Sequence, residues 1–294
     1  MIKKWGFILS AILIILCACS PVQSKKQVPI KTPTNKVVKM NFPKIDHVVL
    51  VVEENHSQQE ITNNSSAPYM NALMKHGANF TNYHAIEHPS QPNYLDIFSG
   101  SNQGVTNDRI PRTKFSTENL ANELITKKYT FIGYSEDLPK VGYDGSSGGR
   151  GGYARKHNPW VNFTNVPTKL NQPFTNFPSN FNQLPTVSFV IPNLRNDMHD
   201  GSIKVGDEWL KKQLNPYIQW AKTHNSLLVV TWDEDDSSQN NKIPTFFVGP
   251  MVRNGQYSEY INHFNLLRTI EDIYGLSHAG KSVAVNPILD IWKK

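Results

Sequence analysis

The stretch Ile45 to Val52, IDHVVLVV, is a nearly continuous apolar run rich in β-branched residues, and it constrains the fold more than any other segment. A strand with one wet face alternates apolar and polar side chains, whereas a strand covered on both faces does not. The run therefore predicts an inner strand of a parallel sheet. It stops abruptly at Glu53-Glu54-Asn55-His56. Polar residues bunched there occupy the carboxyl end of the strand, where open α/β sheets bind their ligands.

The following segments repeat the theme. Ala67 to His76 carries apolar residues at helical spacing, with Pro68 near its start and Gly77 just past its end. Ala78 to Ala85 alternates like a strand, and His88-Pro89-Ser90-Gln91-Pro92 leads into a predicted helix Asn93–Phe98, so Ser90 falls near a helix N-terminus. Further predicted units are a helix near Thr117–Lys127, strands Tyr129–Tyr134 and Val187–Ile191, a helix Asp207–Thr223, strands Leu227–Trp232 and Thr245–Val248, and a helix His263–Tyr274. Alternating strands and helices imply a three-layer αβα domain around a mainly parallel sheet. Between Leu138 and Gln183 the pattern fails, and Gly, Asn, Pro and aromatic residues dominate. A long insert of this kind is a functional loop or a segment packed down by its aromatics.

The chain begins differently. Lys3 and Lys4 precede an apolar run from Trp5 to Leu16 that closes on Cys17-Ala18-Cys19. The run is too short for a hydrocarbon core of about 30 Å, so residues 1–19 are expected to be a lipoprotein signal with Cys19 as the lipidated N-terminus. Cys17 is the weaker acceptor because bulky Leu16 precedes it. Residues 20–44 are rich in Lys, Pro, Thr, Gln and Ser and predict a flexible tether. The expected product is exported and anchored by lipid to the outer face of a bacterial membrane. Eight lysines and no acid in the first 44 residues, set against +6 for the whole chain, leave −2 for residues 45–294. That remainder lacks the cationic excess of a nucleic-acid binder. It also contains neither cysteine, so disulfides and thiolate metal sites are excluded from the catalytic domain expected at 45–294.

Three polar clusters follow predicted strands: Glu53-Glu54-Asn55, the Ser90 turn, and Asp233-Glu234-Asp235-Asp236 after LLVVTW. Carboxylates with an amide oxygen make a site for one hard divalent cation, with Ca²⁺, Mg²⁺ or Mn²⁺ ahead of Zn²⁺. Asp233 and Glu234, nearest the strand end, are the expected ligands, and Asp235 and Asp236 are expected to face solvent. Each cluster alone is weak evidence, since an acidic run is usually a solvated loop and a serine before a helix is usually a cap.

Together the stretches VVLVVEENHS, APYMNALMKHGANFTNYHAIEHPSQPNYLDIFSG, YARKHNPW, IPNLRNDMHDG, LLVVTWDEDD and HFNLLRTIEDIYGL resemble bacterial phosphoesterases that include acid phosphatases and phospholipases C. The second stretch also resembles the wider alkaline phosphatase and sulfatase superfamily around its nucleophile. The resemblance implies an alkaline phosphatase-like fold, Ser90 as nucleophile, and one metal surrounded by Glu54, Asn55, Ser90, Asp233 and Glu234. It implies His157 and His199 at the phosphate, with His88, Asp197, Asp200 and His263 as supporting residues. The substrate it implies is a phosphorylated small molecule or a phospholipid, cleaved through a phosphoserine. Sulfatase chemistry is disfavoured because Ser90-Gln91-Pro92-Asn93-Tyr94 lacks the arginine of the C/S-x-P-x-R motif. A binding lipoprotein that keeps the fold without catalysis is the reading from a different class.

Overall fold

A computed structural model describes residues 1–2, 42–149 and 152–294. The signal and most of the tether, with Cys17 and Cys19, lie outside the described residues. The architecture below belongs to the unit Met40–Lys294.

The apolar run becomes β1, His47–Glu53, and six of its seven residues are buried. It is flanked by two parallel neighbours, Val187–Ile191 and Ser226–Trp232, which is why no polar alternation appears in it. Numbered along the chain, the sheet comprises β1, β2 (Ala78–Phe80), β3 (Phe131–Ser135), β4 (Asn171–Pro173), β5 (Val187–Ile191), β6 (Ser226–Trp232), β7 (Thr245–Val248) and β8 (Gly255–Tyr257). Their order across the sheet is β8-β2-β7-β6-β1-β5-β3-β4. Only β7 runs antiparallel to its neighbours.

Besides a single helical turn at Gln58–Ile61, the helices are α1 (Pro68–His76), α2 (Ser90–Ser99), α3 (Leu120–Thr126), α4 (Ile203–Ala221) and α5 (His263–Tyr274). They form two packed groups, α1 with α4 and α2 with α3 and α5. Local chemistry sets their ends. Asn119, Ser202 and Asn262 cap α3, α4 and α5 by accepting from Asn122, Val205 and Phe264 amides. Gly100 ends α2 at φ 63°, and a Cβ there would stand 2.1 Å from the Ala279 carbonyl oxygen, so glycine is required twice over.

Four expectations needed adjustment. Helix α2 starts at Ser90 rather than Asn93, and α4 starts at Ile203 rather than Asp207 because Ser202 supplies the cap. The segment Ala78–Ala85 is two short strands, Ala78–Phe80 and Tyr83–His84, with the second pairing outside the main sheet. The insert Leu138–Gln183 is built from short 3₁₀ turns and adds β4 to the sheet edge. Its aromatics are anchors: Trp160 and Phe163 pack edge-on against Phe98, and Trp160 also packs edge-on against Phe131 and Phe189. The insert is thereby fixed against α2, and one of its turns, Arg155–His157, carries His157.

Candidate active site

Strand register builds the site. Glu53 lies opposite Trp232, so β1 and β6 finish together and Glu54 and Asp233 emerge side by side. The Asp233 amide donates to the Glu53 carbonyl at 3.1 Å, and the Glu54 amide donates to the Asp197 carbonyl at 2.8 Å, which stitches the loop after β5 to the same edge. Glu53 itself turns to the other face by strand alternation. Burial, with Asp197 and Glu136 nearby, pushes its carboxyl well above the ordinary range.

Ser90 is the first residue of α2 and is buried. Its hydroxyl lies 3.1 Å from both Glu54 Oε2 and Glu234 Oε1. The residue that caps α2 is Pro89, and the Ser90 side chain makes no cap bond. The helix-cap reading of Ser90 is thus replaced by a hydroxyl held between two carboxylates from different strand ends. Tyr94, one turn along the same helix face, donates to Glu54 Oε1 at 2.8 Å.

The second side of the site comes from the insert. His157 is buried, with Nε2 2.8 Å from Glu54 Oε1 and Nδ1 3.5 Å from Asp197 Oδ2. These are ion-pair contacts in which the ring N–H bonds do not line up on the oxygens. Burial alone would lower the imidazolium, but the Glu54 and Asp197 carboxylates outweigh it and raise His157 to about 9. Reciprocally, burial raises Glu54 while the His157 charge pulls it down further, to about 2. Asp197 goes up to about 6, since burial exceeds the help it receives from His157.

The carboxylates on the strand end are short of positive partners. Burial, then the neighbouring Glu54 and Glu234 charges, push Asp233 well above its usual value. Asp233 Oδ2 is buried and has no hydrogen-bond partner among the described residues. Burial also raises Glu234, opposed by His88, whose Nδ1 lies 2.5 Å from Glu234 Oε2 and whose Nε2 lies 3.3 Å from Asp235 Oδ1. Asn55 follows Glu54 on the same turn and is half-buried.

Asp236 is exposed, as expected, but Asp235 is buried, which corrects the expectation that it faces solvent. Its carboxylate accepts from the Ser237, Gln239 and Asn241 amides at 2.7, 2.8 and 3.0 Å. Three backbone donors offset its desolvation and hold the loop after β6 in place.

His199 is exposed at the mouth. Its amide donates to Asp197 Oδ1 at 2.8 Å and its Nδ1 lies 2.7 Å from Asp200 Oδ1. Asp200 is exposed. His263 is buried behind the site: Nε2 donates to the Asp233 carbonyl at 2.9 Å and Nδ1 accepts from Tyr83 Oη at 3.1 Å. Burial keeps it neutral, down at about 4. With both nitrogens engaged, His263 fixes the strand end and does not face a phosphate.

Sequence reasoning missed three residues. Lys156 Nζ lies 3.5 Å from Ser90 Oγ, 3.1 Å from Asp108 Oδ2 and 3.4 Å from His199 Nε2. Its adjacency to His157 in ARKHNPW was the available signal. Tyr94 was legible as the i+4 neighbour of Ser90 had the helix been started there. Asp108 belongs to an exposed loop and carried no signal.

Residues 62–277 match the family model described as the Phosphoesterase family. The chain belongs to that family. This phosphoesterase is 54% identical over 253 residues to the phosphatidylinositol-3-phosphatase of Mycobacterium tuberculosis, covering 85% of this chain and 84% of the relative. It is 32% identical over 228 residues to the phosphate-repressible acid phosphatase of Penicillium chrysogenum, covering 72% of this chain but only 55% of that longer protein. Among solved structures, a protein of the alkaline phosphatase superfamily from Vibrio parahaemolyticus superposes with a TM-score of 0.59 at 12% identity, over 85% of this chain and 74% of that one. A phosphonate monoester hydrolase from Silicibacter pomeroyi gives 0.57 at 10% identity, over 83% and 76%. At such identities the structural likeness speaks for the fold: this phosphoesterase has an alkaline phosphatase-like α/β architecture. Its relatives are phosphatases, and it is a hydrolase of phosphoric ester bonds.

Proposed function

We propose that the chain is an acid phosphatase-like phosphomonoesterase that works at the cell envelope through a phosphoserine on Ser90. The observation that carries this reading is the Ser90 hydroxyl suspended 3.1 Å from both Glu54 and Glu234 at the edge of a phosphoesterase sheet. A serine there has charged acceptors for its proton, which an ordinary surface serine lacks.

One divalent cation fits the chemistry of the donors. Among the described residues no three His, Cys, Asp or Glu side chains stand in ready-made ligand geometry. The fit lies instead in the crowding of Glu54, Asp233 and Glu234 and in the unpartnered, buried Asp233 Oδ2. Glu54, Asn55, Ser90, Asp233 and Glu234 would hold the ion, and an oxygen-only set favours Ca²⁺, Mg²⁺ or Mn²⁺ over Zn²⁺. When bound it would neutralise these carboxylates and the oxyanion of the nucleophile.

The chain's own residues do the rest. Ser90 Oγ forms the new bond to phosphorus as the ester P–O bond breaks, and its proton passes to the Glu234 carboxylate. His199, open to solvent at the mouth, gives the departing alkoxide a proton. Water then cleaves the Ser90 ester, with the same groups returning their protons in reverse. His157 and Tyr94 hold Glu54 in place. The mycobacterial relative's name brings the phosphate on an inositol lipid headgroup into the substrate class, beside small phosphomonoesters. A phospholipase C-type diesterase is the alternative within the same machinery. Export and attachment through Cys19 rest on the sequence of residues 1–44.

Acid quench during turnover of p-nitrophenyl phosphate, followed by mass spectrometry, should find phosphate on the peptide that contains Ser90. A quenched enzyme with no phosphopeptide, at a time when a burst of p-nitrophenol has been released, would refute the covalent route.

A further inference from the structure

We propose that Lys156 binds the non-bridging oxygens of the transferred phosphoryl group, that Asp108 positions it, and that this cation selects dianionic monoesters over diesters. The proposal rests on Ser90 as nucleophile and deepens that reading.

The reacting atoms of a bound substrate stand about 3–3.5 Å from the attacking group. An ammonium 3.5 Å from Ser90 Oγ is therefore within reach of the oxygens that surround the phosphorus. Lys156 carries three donors and no acceptor, and its contact to Asp108 Oδ2 uses one of them. The donor directed at Ser90 Oγ is the one a phosphoryl oxygen would take over. The side chain is 19% exposed, so most of it is out of water, where a charge acts more strongly. The 3₁₀ turn Arg155–His157 sends adjacent side chains to different partners: His157 reaches Glu54 and Asp197, and Lys156 reaches Ser90 and His199.

Asp108 is built for positioning. Its Oδ1 accepts from the Gln91 amide at 3.0 Å, the residue after the nucleophile, while Oδ2 accepts from Lys156. One carboxylate thus ties the start of α2 to the cation. The Gln91 side chain secures the loop in return, donating to the Asn107 and Arg109 carbonyls at 2.8 Å each. A monoester has a second ionisation near pH 6 and carries between one and two negative charges at neutral pH. A diester carries one, and replaces a charged oxygen with an alkoxy group that offers Lys156 nothing.

The test compares Lys156→Met, Lys156→Arg and Asp108→Asn with the wild type on p-nitrophenyl phosphate and bis(p-nitrophenyl) phosphate, at equal metal loading and with thermal unfolding recorded. Lys156→Met should lower monoester kcat/KM by about 100-fold to 1,000-fold, the range for removing one transition-state donor, and diester kcat/KM by less than tenfold. Inhibition by inorganic phosphate should weaken at least tenfold, and Lys156→Arg should recover part of both losses. Asp108→Asn keeps the acceptor for Gln91, so it should leave the unfolding temperature near wild type while raising monoester KM more than it lowers kcat. Equal losses on both esters, or an unchanged phosphate inhibition constant in folded Lys156→Met, would overturn the proposal. Phosphate binding measured by calorimetry in a Ser90→Ala background separates the two claims: dependence on Lys156 there supports the cation whatever the identity of the nucleophile.

Discussion

Replacing Ser90 by alanine separates a chemical role from a structural one because the geometry gives the two very different sizes. Structurally, the substitution deletes one hydroxyl with contacts of 3.1 Å to Glu54 and Glu234. Hydrogen bonds to charged groups contribute about 1.5–3 kcal/mol each, but removal here also lets two crowded carboxylates relax, so a net loss of about 1–2 kcal/mol is expected. Helix α2 loses no cap, since Pro89 occupies that position. In a domain of this size such a loss lowers the unfolding temperature by about 2–8 °C. Chemically, it removes the one protein atom that bonds to phosphorus in the proposed route. Loss of the covalent route should cut kcat by at least about three orders of magnitude, equivalent to about 4 kcal/mol of barrier. Steady-state turnover of p-nitrophenyl phosphate gives the second quantity and thermal unfolding the first, and calorimetry should still detect bound inorganic phosphate. A folded Ser90→Ala variant with kcat within about tenfold of wild type would refute the nucleophile assignment and transfer the attack to water.

Other perturbations reach different parts of the argument. Activity should vanish on stripping with EDTA and return with Mn²⁺, Mg²⁺ or Ca²⁺ more fully than with Zn²⁺; full turnover by protein shown by elemental analysis to be metal-free would remove the ion from the scheme. Far from the site, burial raises Glu123 to about 8 and Glu271 to about 7. Both then hold protons in the folded chain that the unfolded chain has released, so stability should fall as pH rises from about 4.5 to 8, by at most about 1.4 kcal/mol per pH unit per group. Glu123→Gln should flatten that slope in urea unfolding between pH 5 and 8, and an unchanged slope would count against the buried-acid assignment. Cys19→Ser should abolish labelling by radioactive palmitate, whereas persistent labelling would move the acceptor to Cys17 or discard the anchor.

The division between what was readable in one dimension and what needed three follows physical lines. The run IDHVVLVV had to be a doubly buried strand because a polar solvent on either face would select against it, and its abrupt end at Glu53-Glu54 marked the binding edge. The same logic located Asp233 and Glu234 after β6, and the resemblance supplied Ser90, His157 and His199. What could not be read were contacts made across the sheet or between loops. Asp235 looked like one more solvated acid until three backbone amides of its own loop were seen to satisfy it. His263 was expected as a supporting residue, but the sequence does not say that Tyr83 and the Asp233 carbonyl meet its two nitrogens. Lys156 and Asp108 are 48 positions apart, and nothing in either neighbourhood says that they meet beside Ser90. Periodicity reports which face of an element is buried because burial acts on every residue of that element. A pairing between distant side chains leaves no such periodic trace: it is created when strand register and the packing of the aromatic insert against α2 bring the two loops to one edge.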